Sequence, residues 1–228
     1  MNFNKIKYLI YGFFLTRKYG AKLQHISDPI EKKRLRLEYA NIFFSKLNIH
    51  INIENKEKIP PKGQYIIFSN HRSILDPLAI DIVLKKSKIF GLWIAKKELY
   101  NSLLFGKAVT NGGCIRWDRE EKNTKILFSD IKNGLAQGSS ICMFPEGTRN
   151  KTQKDLLEFR NGVRIIAIKN KLALLPLYIK SNASEVLEQA LIDNSMQREI
   201  TIVVGDIIPY ADKSDLETSY RTMFKLKI

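Results

Sequence analysis

Residues 64–77 read Gln-Tyr-Ile-Ile-Phe-Ser-Asn-His-Arg-Ser-Ile-Leu-Asp-Pro, and this stretch decides the fold. The run 64–69 is short and mostly apolar, which predicts a buried strand. Asp76 and Pro77 are a good N-cap and a good first residue for a helix, which we predict over 77–86. A buried strand that passes directly into a helix is typical of α/β sheets.

Strand and helix signals alternate through the rest of the chain on the C-terminal side. We predict further strands over 89–95, 114–117, 140–144, 173–179 and 200–208. We predict helices over 96–109, 120–137, 162–170 and 214–225. This alternation predicts an α/β fold with a mixed, largely parallel central sheet flanked by helices.

The N-terminal region differs in character from the rest. Two amphipathic helices are predicted, over 3–19 and over 28–47, and residues 1–50 carry ten Lys/Arg against three acids. Basic amphipathic helices suit a membrane interface, although the same faces would also suit packing on the main domain. Because Pro60-Pro61-Lys62-Gly63 interrupts the pattern, we divide the chain into a membrane-docking element at 1–60 and a main domain at 61–228.

Composition excludes several classes of protein. The chain has 228 residues, 44% of them hydrophobic, which excludes a disordered protein. Its two cysteines cannot build a disulfide framework or a Cys-rich zinc site. The apolar run 8–15 is too short to span a bilayer, and no small-residue cleavage site follows it. The net charge of +15 favours an anionic partner: nucleic acid, an acidic membrane or a phosphorylated small molecule.

His71 and Asp76 are the first candidates for chemistry. His71 lies where a buried strand gives way to a helix, the usual place for functional groups in an α/β sheet. If the turn between them folds back, the Asp76 carboxylate accepts a hydrogen bond from one imidazole nitrogen and leaves the other as a base for activating a hydroxyl. The alternative is structural, because Asp76 is also a sound helix N-cap.

Two further clusters follow predicted strands. Phe144-Pro145-Glu146-Gly147-Thr148-Arg149 combines a glycine that permits close backbone approach with an arginine suited to phosphate. Gly112-Gly113-Cys114-Ile115-Arg116-Trp117-Asp118-Arg119 offers Arg119 as a second candidate phosphate ligand. Each cluster by itself also fits an ordinary turn.

In this order, the motifs resemble those of the glycerolipid acyltransferase family, and more narrowly the bacterial 1-acyl-glycerol-3-phosphate acyltransferases. The resemblance covers about residues 62–210. It includes the spacing from Asn70-His71 to Asp76, the Phe144–Arg149 motif, Phe159-Arg160-Asn161-Gly162, the run 95–99 and Leu175-Pro176-Leu177. Where the second motif of the family commonly has apolar residues, this chain has Arg116 and Trp117, which a regular strand would point to opposite faces.

The resemblance implies that an acyl group is transferred from a thioester to the free hydroxyl of lysophosphatidic acid, giving phosphatidic acid. It makes His71 the general base and Asp76 the residue that orients it. It assigns acceptor binding to Glu146, Gly147, Thr148 and Arg149, with Arg149 on the phosphate and Arg119 assisting. Lys96 or Lys97 is implied as the group that stabilises the thioester oxyanion.

The same reading gives expectations about partners. No cofactor or metal is required, and acyl-CoA or an acyl carrier protein supplies the thioester as co-substrate. We expect a peripheral protein on an anionic membrane surface at the cytoplasmic face, and no nucleic acid, because the chain lacks the recognised binding motifs. The alternatives are another lysophospholipid or lyso-aminolipid acceptor, a basic nucleic-acid-binding protein, and a catalytically inactive membrane-surface protein.

Overall fold

A single seven-stranded sheet forms the centre of the molecule, with strand order β1-β7-β6-β2-β5-β3-β4. The computed structural model describes residues 2–118 and 124–227. The strands are β1 (Ile49–Glu54), β2 (Ile66–Ser69), β3 (Gly91–Lys96), β4 (Ile115–Trp117), β5 (Ser140–Met143), β6 (Leu174–Ile179) and β7 (Arg198–Val204).

Most of the sheet is parallel. Strands β2, β3, β4 and β5 pair in parallel, as do β2 with β6 and β1 with β7, whereas β6 and β7 are antiparallel. The carboxyl ends of β2, β3, β4 and β5 therefore meet at one edge, which is where α/β sheets place their sites. The prediction of a mixed, largely parallel sheet is confirmed.

Helices cover both faces of the sheet. They are α1 (Phe3–Lys22), α2 (Pro29–Lys46), α3 (Asp76–Val83), α4 (Lys97–Tyr100), α5 (Gly106–Asn111), α6 (Lys125–Ala136), α7 (Gly162–Asn170), α8 (Ala183–Ile192) and α9 (Leu216–Met223). One core packs α2, α3 and α8 against the sheet, and a second packs α6, α7 and α9. Among the described helices, none has the length and hydrophobicity that a bilayer-spanning segment needs.

The two predicted N-terminal helices are present as α1 and α2. Asp28 caps α2 by accepting a hydrogen bond from the Glu31 N–H, with Pro29 as the first helical residue. The Arg36 guanidinium on α2 binds Asp81 on α3 and also donates to the Gly91 carbonyl at 2.7 Å. A buried ion pair thus joins α2 to the body of the protein.

The division near residue 60 does not separate two packed units. Strand β1 pairs along its whole length with β7, so it is an edge strand of the common sheet. Phe44 and Leu47 lie in the same buried core as Ile67 and Leu175. The Pro-rich segment at 60–63 is therefore a connection between two strands of one sheet, and α2 and β1 belong to the main domain.

Candidate active site

His71 and Asp76 are brought together by the tight turn between β2 and α3. The imidazole Nδ1 lies 2.8 Å from Asp76 Oδ2, and the same oxygen accepts backbone N–H bonds from Arg72 and Ser73, each at 2.7 Å. Asp76 is fully buried. Because this oxygen is surrounded by donors, Nδ1 carries a proton toward it, and Nε2 is the nitrogen left to accept a proton.

The loop after β5 holds His71 from its other sides. The imidazole stacks on the Phe144 ring with centroids 3.8 Å apart, and Phe144 in turn stacks on Trp93 at 4.8 Å. The His71 backbone N–H donates to Glu146 Oε1 at 2.7 Å, and its carbonyl accepts from the Asn150 N–H at 2.6 Å. The ring and the backbone of His71 are both fixed before any substrate binds.

Glu146 supports the site from behind. Its second oxygen accepts the Leu157 N–H at 2.9 Å, and only 3% of the residue is exposed. Burial raises the pKa of this carboxyl to about 7, against the lowering effect of its two backbone hydrogen bonds. Glu146 is absent from the cavity wall in the described part of the chain, so its expected contact with an acceptor stays a prediction.

A largely apolar cavity of about 520 Å³ opens beside His71, a size typical of small-molecule sites. It lies between the edge of the sheet and helices α1, α2 and α5. His71, Lys96 and Arg149 line its wall at the carboxyl ends of the strands, and Arg36 and Asp81 line it too. Along β3 the cavity wall extends from Lys96 back to Trp93, about 10 Å.

The other predicted substrate ligands lie around the mouth of this cavity. Gly147 adopts φ 67°, a left-handed conformation that favours glycine, and it lines the wall together with Thr148 and Arg149. Thr148 and Arg149 are exposed. Within residues 2–118 and 124–227, no side chain pairs with the Arg149 guanidinium, which is thus available for an anion.

The two candidate oxyanion lysines differ in position. Lys96 lines the cavity, whereas the Lys97 ammonium lies 2.6 Å from an Asp118 carboxylate oxygen. On the neighbouring strand Trp117 lines the cavity, while Arg116 is exposed on the other face of β4. Arg119 lies outside the described residues.

Sequence reasoning did not single out three residues that shape the site: Trp93, Asn150 and Arg36. Trp93 stands behind Phe144, Asn150 binds the His71 carbonyl, and Arg36 lies in the cavity wall. The loop position of Asn150, directly after Arg149, was a signal that could have drawn attention to it. Nothing local in the sequence connects Trp93 or Arg36 to His71.

Comparison with known proteins agrees with this geometry. The sequence model of the family described as Acyltransferase matches residues 50–180, more than half of the chain. A 1-acyl-sn-glycerol-3-phosphate acyltransferase of Helicobacter pylori is 38% identical over 128 residues, which are 55% of this chain and 53% of that protein. A probable 1-acyl-sn-glycerol-3-phosphate acyltransferase of Mycoplasma pneumoniae is 28% identical over 86% of this chain and 75% of its own length.

The fold also matches a solved structure. The crystal structure of the 1-acyl-sn-glycerophosphate acyltransferase from Thermotoga maritima superposes with a TM-score of 0.67 at 19% identity, covering 97% of this chain and 90% of the other. The match to the Helicobacter pylori relative spans about half of that protein's length. With the family sequence model covering both His71 and the Phe144–Arg149 loop, the chain belongs to the acyltransferase family.

Proposed function

We propose that this protein transfers a fatty acyl group from a thioester to the sn-2 hydroxyl of 1-acyl-glycerol-3-phosphate, giving phosphatidic acid. The observation that carries the proposal is the His71–Asp76 pair at the junction of an apolar cavity and the Arg149 guanidinium. One side of that junction suits an acyl chain, and the other suits a phosphate. The names of its relatives support the same activity.

In the proposed reaction His71 acts as general base. Its Nε2 takes the proton of the acceptor hydroxyl while the hydroxyl oxygen bonds to the thioester carbonyl carbon. The Asp76 carboxylate stabilises the imidazolium that forms. When the tetrahedral intermediate collapses, the carbon–sulfur bond breaks, and the thiolate leaves with the proton from Nε2.

The oxyanion of the intermediate needs a positioned donor. Lys96 is the better candidate of the two lysines, because its side chain lines the cavity. The thioester is that of coenzyme A or of an acyl carrier protein, and its acyl chain occupies the apolar cavity. No residue role in this scheme calls for a cofactor.

The acceptor is a lipid, and we propose that α1 brings the site to a membrane surface. Phe3, Leu9, Ile10 and Phe14 of α1 are exposed by 80%, 54%, 53% and 66%, and Leu103 beside α5 by 75%. The opposite stripe of α1 packs against the protein. Each such side chain contributes about 1.5–3 kcal/mol when it is buried in an apolar phase, and basic residues near an anionic leaflet contribute about 1 kcal/mol each.

The decisive experiment is an acyl-transfer assay with radiolabelled donor, purified protein and lysophosphatidic acid, run with acyl-CoA and with acyl carrier protein. We expect turnover in the wild type and none above background in His71→Ala, with unchanged circular dichroism. His25→Ala, at an exposed histidine, is the matched control and should retain full activity. Turnover by folded His71→Ala would end the general-base assignment.

An acceptor panel tests the identity of the substrate. Lysophosphatidic acid carries a phosphate monoester, whereas a lysophospholipid with an esterified phosphate or a lyso-aminolipid offers Arg149 a weaker partner or none. We therefore expect kcat/KM to be highest for lysophosphatidic acid. A higher value for another lysolipid would replace the acceptor while leaving the reaction type intact.

A further inference from the structure

Asn70, directly before His71, is held by a network of buried hydrogen bonds. Its side chain donates to the Ile179 carbonyl at 3.0 Å and accepts from the Ile179 N–H at 2.8 Å. These two bonds continue the pairing of β2 with β6 beyond the last residue of β2. Asn70 is 1% exposed, so each of its polar groups must find a partner inside the protein.

The backbone N–H of Asn70 finds its partner on α9, near the far end of the chain. It donates to the Tyr220 hydroxyl at 3.3 Å, and that hydroxyl donates to the Leu177 carbonyl at 2.6 Å. Tyr220 is fully buried, and its ring packs against Phe68 with centroids 5.5 Å apart. One hydroxyl thus bridges the end of β2 to β6.

The same helix also holds the second half of the site. One turn before Tyr220, a Glu217 oxygen accepts the Phe159 N–H at 2.8 Å, and Arg221 holds the other Glu217 oxygen at 2.8 Å. Phe159 lies two residues after Leu157, whose N–H binds Glu146. Residues 157 and 159 are therefore anchored from two sides, by Glu146 and by Glu217.

Helix α9 lies outside the segment that the family sequence model matches and, within the described chain, contributes no residue to the cavity wall. Yet its buried Tyr220 contact ends one residue from His71, and its partly buried Glu217 contact ends two residues from Leu157, which binds Glu146. Without the Tyr220 hydroxyl, the Asn70 N–H would lose its hydrogen-bond partner in a buried position, which is costly. A shift of the Asn70 backbone would relieve that cost and carry His71 with it.

We propose that α9 is a positioning element for the catalytic base, with Tyr220 fixing His71 through Asn70 and Glu217 fixing the 157–159 segment through Phe159. Only the kinetic consequence of this inference rests on the proposed function; the hydrogen bonds themselves do not depend on it. A displacement of about 1 Å in a reacting group can cost up to about a hundredfold in rate. Because α9 does not line the cavity among the residues that the structure describes, we expect the loss to fall on kcat and to leave the KM of both substrates unchanged.

The test compares Tyr220→Phe with Tyr178→Phe. Both changes remove one hydroxyl from the same aromatic cluster, in which the two rings lie 6.2 Å apart, but Tyr178 is partly exposed and only Tyr220 reaches Asn70. We expect Tyr220→Phe to lower kcat about tenfold without raising either KM, and Tyr178→Phe to match the wild type. Equal kcat values for the two variants would overturn the proposal.

A second readout does not depend on turnover. We expect the proton between His71 Nδ1 and Asp76 to give a low-field NMR resonance, to be assigned by its absence in His71→Ala. We expect this resonance to shift or broaden in Tyr220→Phe and to remain in place in Tyr178→Phe; an unchanged resonance in both would contradict the positioning role. If the wild type itself transferred no acyl group, the proposed function would fail. The resonance would still test whether α9 positions His71, because it does not depend on turnover.

Should Tyr220→Phe not fold, Glu217→Ala decides the question in the same assays. This variant frees the Phe159 N–H at a partly exposed position and leaves the aromatic cluster intact. A lower kcat with unchanged KM and a perturbed His71 resonance would support the positioning role. Wild-type kcat and an unchanged resonance would overturn it.

Discussion

The Glu146 carboxylate accepts two backbone hydrogen bonds, from His71 and from Leu157, in a nearly fully buried position. Its pKa is raised from 4.5 to about 7 by burial, with Asp76 adding to the rise and Arg72 opposing it. A raised folded-state pKa means that the folded protein binds the proton more tightly than the unfolded chain. Glu146 therefore favours folding most below pH 4.5 and progressively less as the pH rises toward 7.

We predict that Glu146→Gln removes this pH dependence. The unfolding free energy of the wild type minus that of the variant should fall by about 3 kcal/mol between pH 4.5 and pH 7 and stay constant above pH 7. Urea unfolding at a series of pH values measures it. Parallel curves for the two proteins across this range would show that Glu146 does not titrate there.

Arg149 is the residue on which recognition of the acceptor phosphate depends in the proposed function. We predict that Arg149→Ala raises the KM for lysophosphatidic acid about ten- to a hundredfold, since hydrogen bonds to charged groups are the stronger kind, and leaves the KM of the acyl donor unchanged. Steady-state kinetics with each substrate varied in turn separates the two effects. Lys132→Ala, at an exposed position on α6, controls for loss of charge, and a larger effect on the donor would contradict the assignment.

For single residues, the sequence was a better guide to which residues contact each other than to the direction in which each side chain faces. The spacing from His71 to Asp76 predicted a contact on the condition that the turn between them folds back, and the structure places them 2.8 Å apart. The inward turn of Glu146 depends on the backbone N–H groups of two loops that are distant in sequence. No local pattern specifies which way such a loop side chain faces.

Helix α1 presents an apolar stripe to solvent while its other stripe is buried. In the proposed function this stripe enters the headgroup region of an anionic bilayer. Removing all of residues 1–50 would also remove core residues such as Phe44, so surface substitutions are the cleaner test.

We predict that the triple variant Leu9→Ser, Ile10→Ser, Phe14→Ser reduces the fraction bound to anionic liposomes about tenfold or more, because each lost apolar contact is worth about 1.5–3 kcal/mol. Liposome flotation measures it. The control replaces three exposed isoleucines of α6 and α7 by serine: Ile126, Ile165 and Ile168. Equal loss in both variants, or none in the first, would reject α1 as the docking face.

The predicted bounds of a helix agree with the structure where no tertiary contact interrupts the local sequence pattern. Helix α7 has the predicted bounds, whereas the predicted helix over 96–109 is split into α4 and α5. At the start of α5, Gly106 packs so closely on the Tyr100 carbonyl that a Cβ would lie 2.6 Å from its oxygen. That tertiary contact is invisible in a one-dimensional pattern.

Two elements were not predicted, and their signals were present. Residues of β1 alternate Ile49, Ile51 and Ile53 with polar residues, and Asn182 caps α8. What the sequence could not supply for β1 was its partner, because β7 lies about 150 residues further along. The predicted strand over 200–208 ends instead at Val204, where the next residue, Gly205, packs against Met223 at the end of α9 and against Phe224.

For the whole molecule, the depth of the apolar cavity sets an expectation for acyl-chain preference. Cys114 lies in its wall, level with the middle of β3. We predict that Cys114→Leu lowers kcat/KM for long acyl donors and spares short ones, because added volume shortens the space for the chain. Thr110→Leu, at an exposed position on α5, is the control; equal losses for all chain lengths would argue against this use of the cavity.

The pairing of β1 with β7 has a consequence for biosynthesis. During translation the strand Ile49–Glu54 leaves the ribosome long before Arg198–Val204, the strand with which it pairs. Contacts of such high sequence separation form slowly, and an unpaired strand edge invites aggregation meanwhile. We therefore expect the nascent polypeptide to depend on chaperones or early bilayer contact until its last strand emerges.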